Sequence, residues 1–236
     1  MIKRLDAILS SAGKSRKEAR ELIQSGKVSV NGLTVKKSDT KISENDTVSV
    51  NGVTIETDEF IYLLLYKPAG YVSTTENTED SVMELIPDDL RRKGLAPAGR
   101  LDKDSEGLLI LSNDGEYIHR IISPKSDTKK EYYIETKKSI TEDDIKAFAD
   151  GILLADGEKC LPAVLTSTSP LFNTGNHAAK VIINEGKYHQ VKRMIASRNN
   201  KVTRLIRMKI GEFSIDGMTE REIKRFFPDI HKQNNI

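Results

Sequence analysis

The densest polar cluster of the chain is Gly99-Arg100-Leu101-Asp102-Lys103-Asp104-Ser105-Glu106-Gly107, followed at once by the apolar run Leu108-Leu109-Ile110-Leu111. Three acids at alternate positions ahead of a strand-like run put charged groups at the mouth of a buried sheet. Such an edge is where a rigid element can hold a catalytic carboxylate with one side open. Taken alone, the cluster fits three chemistries. Asp102, Asp104 and Glu106 alternate as in a calcium loop, with Gly107 where that loop needs its glycine. The twelfth position is Asn113, however, which cannot supply the bidentate carboxylate. Asp102 and Asp104, two residues apart on a strand, project to one side and could form the acid pair of a glycosidase. The third reading is a solvated acidic turn.

A second constellation is Glu185-Gly186-Lys187-Tyr188-His189-Gln190-Val191-Lys192-Arg193-Met194. The strand-like Val181-Ile182-Ile183 runs into a glycine turn and then a helix whose buried stripe is Val191, Met194 and Ile195. Lys192 and Arg193 flank that stripe near the helix start, where cations oppose the helix dipole, so an anion is expected to hold them. His189, beside Tyr188 and Gln190, reads as a hydrogen-bonding structural group, with a general base as the sharper alternative. His119, His177 and His231 share no metal-ligand spacing with it. The chain has no Walker loop, strand-linked GxGxxG, GxSxG elbow, HExxH or CxxC, so no nucleotide cofactor or catalytic metal is expected.

The elements that must position these groups can be read from periodicity. Leu5, Ile8 and Leu9, then Ala19, Leu22 and Ile23, fall at helical spacing. Ser15 is an N-cap candidate for the second helix and Gly26 its stop. Lys14, Arg16, Lys17 and Arg20 lie at the start and outer face of that helix. Asn31-Gly32 and Asn51-Gly52, each between valine-rich runs, carry the type I′ hairpin signal. The polar step 56–59 precedes the apolar run 61–66, and the domain boundary is placed there, giving domains 1–58 and 59–236. Beyond it, strands are expected at 61–66, 107–112, 131–136, 161–167, 178–183 and 202–206, with helices at about 115–122, 141–150 and 188–198. Irregular intermixing favours α+β with a mixed or antiparallel sheet. The tail from His231 is expected to fray.

The 236 residues carry a net charge of only +2, with 37% hydrophobic and 31% charged residues. The charge is unevenly spread. Residues 1–37 hold nine Lys/Arg against three acids, and residues 187–209 hold eight basic residues and no acid, whereas 76–89 hold six acids and no base. Two separated basic regions point to localised contact with a polyanion. A single cysteine, Cys160, excludes an internal disulfide framework. No apolar run reaches membrane-spanning length and the start is no secretory signal, so a cytoplasmic protein is expected.

Seven motifs follow in order along the chain: Lys67-Pro68-Ala69-Gly70-Tyr71-Val72, Gly99-Arg100-Leu101-Asp102, Gly107-Leu108-Leu109, Asn113-Asp114-Gly115, Ser123-Pro124-Lys125, Lys130-Glu131-Tyr132 and the 185–194 block. Together they resemble the signature of the RsuA/RluB/E/F family of rRNA pseudouridine synthases. The match covers about residues 61–215, and the N-terminal segment is similar to the alpha-L RNA-binding fold of small-subunit ribosomal protein S-four. The resemblance implies an α+β fold: a small RNA-binding domain followed by a mixed, mainly antiparallel sheet flanked by helices. It also implies a cofactor-free isomerase acting on ribosomal RNA or an assembling small-subunit particle; a monomer is expected because nothing in the sequence requires a partner subunit, and no membrane partner is expected because no apolar run is long enough. Asp102 would be the essential aspartate. Arg100 would help displace the target nucleotide, Tyr132 pack on its uracil, and Leu205 wall the pocket. Lys192, or Arg193 beside it, would pair with the aspartate. Lys14, Arg16, Lys17, Arg20, Lys187, His189, Gln190, Arg193 and Arg207 would contact RNA. Overall spacing, Ser123-Pro124-Lys125 and Ser81-Val82-Met83-Glu84-Leu85 look most like the small-subunit type, with 16S rRNA as substrate. The alternatives are the 23S type and an RNA-binding or assembly factor without catalysis.

Overall fold

The computed structural model describes residues 3–43, 46–55, 60–76, 78–123 and 126–228. The expected boundary at 56–59, Pro124-Lys125 and the tail from His231 lie outside them. The first unit opens with β1 (Lys3–Arg4), α1 (Leu5–Ser11) and α2 (Arg16–Gln24). Ser15 caps α2 through a capping box in which its side chain accepts from the Glu18 N–H and the Glu18 carboxylate accepts from the Ser15 N–H. Such a cap contributes about 1 kcal/mol. Gly26, at φ +73°, follows the helix end as its spacing predicts.

Strands β2 (Val28–Val30), β3 (Leu33–Thr34), β4 (Lys41–Ile42), β5 (Val48–Val50) and β6 (Val53–Ile55) follow. Asn31-Gly32 joins β2 to β3 and Asn51-Gly52 joins β5 to β6, all four turn residues at positive φ as a type I′ turn demands. Strands β3-β2-β5-β6, in that order, form one sheet, and β1 pairs with β4. Leu5, Ile8, Leu9, Ala19, Ile23, Val28, Ile42 and Val48 make a core of their own.

The second unit is built on a nine-stranded sheet. Its strands are β7 (Tyr62–Lys67), β8 (Ala96–Pro97), β9 (Glu106–Ser112), β10 (Lys130–Thr136), β11 (Val164–Thr168), β12 (His177–Ile183), β13 (Val202–Ile210), β14 (Phe213–Ser214) and β15 (Ile223–Arg225). The main order is β11-β12-β10-β13-β9-β7-β15, with β14 on β13 and β8 on β9. Every pairing is antiparallel except β13 with β9. Helices α3 (Gly115–Ile122), α4 (Glu142–Asp150) and α5 (Gln190–Ala196) complete the unit. The sheet is thus mixed and mainly antiparallel.

β9 is buried along its whole length, so the period-two alternation of a strand feeds both faces. Leu108 and Ile110 join one core with Tyr133 and Ile206, while Leu109 and Leu111 join another with Leu63, Leu65, Val82 and Ile86. A further core, around Phe148, Ile134, Val181, Val191, Met194 and Leu205, seats α5. Two boundaries differ from expectation in an instructive way. β11 starts at Val164 rather than 161, because the Leu161 N–H is taken by the Glu185 carboxylate and Pro162 has none to offer. β13 runs on to Ile210, past the point where Arg207 and Lys209 interrupt its apolar pattern, because Arg207 is buried.

Candidate active site

Asp102 lies in the turn 102–105 ahead of β9, and not on a strand as the glycosidase acid pair requires. That turn is tied down by the segment that follows β7. The Lys67 ammonium, fully buried, donates to the carbonyls of Ser105 (2.6 Å), Pro68 (3.0 Å) and Asp102 (3.1 Å). Burial pushes this lysine down to about 8. The Ser73 hydroxyl donates to the Leu101 carbonyl and lies 3.0 Å from the Leu101 N–H, and the Gly70 N–H donates to the Lys103 carbonyl. The Lys67-to-Val72 motif therefore belongs to the mounting of the acidic turn. On its far side, β13 crosses so closely that a Cβ at Gly107 (φ +111°) would lie 2.3 Å from the Arg207 carbonyl oxygen, so no other residue fits.

The carboxylate mounted in this way meets two partners from 87 and 90 residues further along the chain. Lys192 Nζ lies 2.9 Å from Asp102 Oδ2 and 2.6 Å from Asp104 Oδ1, and His189 Nε2 lies 3.1 Å from Asp102 Oδ1. Burial works against the Lys192 charge, but the hydrogen bonds to Asp104 and Asp102 outweigh it and hold the ammonium above its ordinary value. The same bond from Lys192 holds Asp104 below the usual carboxylate range. Arg193 turns away, to Asp156, Glu158 and the Tyr188 carbonyl. Of the two cations left open by the sequence, Lys192 is the one that touches Asp102. The anions expected to offset the helix dipole are thus the protein's own.

These groups border a cleft of about 400 Å³ lined by Arg100, Asp102, Tyr132, Lys192, Leu205 and Arg207 among others. Tyr132 and Leu205 are buried in the same core as Leu101 and Val191. The register of β10 on β13 shifts between Glu131 and Tyr132, a local bulge of the kind that re-aims a side chain beside a site. Arg100 is exposed at the cleft and its guanidinium has no hydrogen-bond or ion-pair partner among the described residues. Lys14, Arg16, Lys17 and Arg20 are likewise exposed and form no ion pair among the described residues.

Some residues expected at an RNA surface are spent inside the protein. Gln190 is buried, its amide accepting from the Lys187 N–H and donating to Glu185, so it locks the loop before α5. Arg207 is buried beneath the cleft, with Nε donating to the Leu108 carbonyl and Nη1 to that of Arg100. The Gln190 amide is thus engaged inside the protein, whereas Arg207 Nη2, at the cleft wall, has no hydrogen-bond partner among the described residues. Lys187 pairs with Glu158 and Glu185. The calcium loop is also overturned. Glu106 points not toward the other two acids but to Arg204, in a two-pronged ion pair at 3.0 and 2.8 Å. Sequence reasoning missed Lys67 as a support, since a lysine next to a proline looks like a surface turn, and missed Asp156 and Glu158 as counter-ions.

Comparison with known proteins shows the class to which this fold belongs. The RNA pseudouridylate synthase family model matches residues 61–197, and the S4 domain model matches residues 3–55. The chain is 38% identical to a ribosomal small subunit pseudouridine synthase A of Vibrio parahaemolyticus, over 92% of each chain. It is 32% identical to a ribosomal large subunit pseudouridine synthase B of Bacillus subtilis, covering 96% of this chain and 93% of that one. A crystal structure of a pseudouridylate synthase superposes with a TM-score of 0.63 at 33% identity, covering 95% and 96% of the two chains. The chain belongs to the RNA pseudouridylate synthase family, and is an isomerase carrying an N-terminal S4 domain. Among the described residues no helix is long and apolar enough to cross a membrane.

Proposed function

We propose that the cleft isomerises a uridine of 16S rRNA to pseudouridine, with Asp102 as the catalytic carboxylate. The carrying observation is the two-sided grip on that carboxylate, with Lys192 at 2.9 Å on one oxygen and His189 at 3.1 Å on the other, beside a cleft walled by Tyr132 and Leu205. Lys192 in contact balances the carboxylate charge while the cleft limits its exposure to water. The reaction breaks the glycosidic bond to the base nitrogen, turns the base and rejoins it through carbon five. Nothing is added or lost, so side chains suffice and no cofactor is required. Eversion of the target from its stack costs a few kcal/mol. Arg100 occupies the lip where it can take the space the base leaves, Tyr132 packs on the uracil and Leu205 closes the pocket. Lys14, Arg16, Lys17 and Arg20 contact phosphates and offset the eversion cost. The enzyme acts as a monomer in the cytoplasm, on rRNA or an assembling particle.

Asp102→Asn tests the site: RNA binding is kept and product is abolished. Normal turnover by that variant refutes the assignment. Mapping pseudouridine on 16S and 23S transcripts incubated with the enzyme tests the substrate. The 23S reading stands second because the large-subunit relative matches over a similar span.

A further inference from the structure

Tyr188 is 74% exposed, yet its ring is not free to wander. It stacks on the His189 ring with centroids 3.8 Å apart and planes within 17°. His189 is itself held from two directions. Its backbone sits in the left-handed region at φ +47°, a conformation uncommon for a residue with a side chain and found where surrounding structure enforces it. Its Nε2 lies 3.1 Å from Asp102 Oδ1. The Tyr188 carbonyl accepts from Arg193 Nη1 at 3.2 Å, which fixes the backbone beneath the ring. The result is a two-ring stack standing on the reacting carboxylate. Its inner ring lines the cleft and its outer ring presents an open aromatic face to solvent.

An ordered, exposed tyrosine beside a nucleic-acid cleft has a direct chemical meaning. When a nucleotide is everted, its neighbours lose a stacking partner, and an aromatic face supplies a replacement that accepts any base. Because the ring is already oriented by His189, little side-chain entropy remains to be lost on contact. We propose that the outer face of Tyr188 stacks on the nucleobase adjacent to the everted uridine, registering the RNA strand against the same support that aims Asp102. The proposal rests on the reading of the cleft as the uridine site. It adds a positioning residue that touches the flanking nucleotide and not the reacting atoms.

The test uses the full chain and a short hairpin RNA containing the uridine that the wild-type enzyme converts, identified first on 16S and 23S transcripts. 2-Aminopurine is placed in turn at the nucleotide on either side of the target, and Tyr188→Ala and Tyr188→Phe are compared with wild type. In the wild-type complex, 2-aminopurine at one flank is quenched by stacking. In Tyr188→Ala that quenching is lost, KM rises by about 5- to 150-fold, the range set by one base–aromatic stack, and kcat stays within about threefold. Tyr188→Phe keeps the ring and behaves as wild type. An alanine variant with unchanged KM and unchanged emission at both flanks overturns the proposal. So does a defect seen only on ribonucleoprotein particles and not on the naked hairpin, which assigns the ring to a protein partner. Conversion of a 23S hairpin in place of a 16S one corrects the substrate reading alone, and the same two results then decide Tyr188 on that hairpin.

Discussion

The cations of the N-terminal unit and those around the cleft are equal in type and opposite in circumstance. Lys14, Arg16, Lys17 and Arg20 stand in solvent without an ion pair among the described residues, whereas Lys187, Lys192, Arg193 and Arg204 are each matched to one or two carboxylates. Unpaired cations gain by meeting any phosphate, and what they supply is affinity without sequence preference, weakened by salt. Paired cations near the cleft have traded that freedom for fixed geometry. The difference teaches that the basic stretch 187–209, a charge run in sequence, is chiefly an internal scaffold, while the smaller run in the S4 domain is the free electrostatic surface.

The strongest challenge to this contrast is Lys67→Met, which removes a buried donor shared by the carbonyls of Pro68, Asp102 and Ser105. Breaking a buried charged network of this kind costs about 3–5 kcal/mol, which lowers the melting temperature by roughly 10 °C for a protein of this size, readable by calorimetry. The pH dependence has a definite sign. Lys67 titrates at about 8 when folded against an ordinary 10.5. Between those values the unfolded chain holds a proton that the folded one lacks, so this site's contribution to stability rises with pH across that window. Stability profiles of wild type and Lys67→Met therefore diverge above pH 8 and run parallel below it.

Next in size, Lys192→Met removes the charge-assisted hydrogen bond to Asp102 and lowers single-turnover rate by about 10- to 150-fold, at roughly 1.5–3 kcal/mol for one such bond. Its RNA affinity stays within about threefold, and the loss does not change with salt. Alanine at Lys14, Arg16, Lys17 and Arg20 together does the reverse. The slope of log affinity against log salt falls by about 3, at roughly 0.7–0.9 per lost phosphate contact, and the rate at saturating RNA is unchanged. A rate loss in that quadruple variant breaks the division of labour between the two units. The smallest effect is expected of Glu158→Gln, whose exposed pairs with Lys187 and Arg193 contribute only a little to stability. Titration calorimetry then reads at most a slight gain in RNA affinity, because Lys187 keeps Glu185 and Arg193 keeps Asp156.

The local chemistry of the fold was legible wherever it depended on neighbours in sequence. Ser15 as a cap, the two Asn-Gly turns and the strand expected at 107–112 behind its acids all follow from short-range rules. The pairing of Asp102 with the 192–193 cations came only from the resemblance, since nothing in either stretch says that they meet. What escaped was burial against pattern. Arg207 reads as a surface cation, yet the glycine at 107 allows β13 to pack so tightly that the guanidinium is enclosed, with Nε and Nη1 spent on carbonyls and Nη2 left without a hydrogen-bond partner among the described residues. Gln190 reads as a polar contact for RNA, but Glu185 and the Lys187 N–H claim its amide. In both, a long-range partner decided where a polar group went, and periodicity carries no information about such partners.

The parallel pairing of β13 with β9 has a consequence for how the enzyme is made. It joins a strand near the middle of the chain to one near its end, and Lys192 arrives 90 positions after the aspartate it holds. On a ribosome, the strands through residue 112 emerge and begin to pack while their acidic turn still awaits its cation. Contacts of such long sequence separation form late and slowly. The S4 domain, complete within the first quarter of the chain and with a core of its own, can fold and engage RNA well before the catalytic apparatus exists.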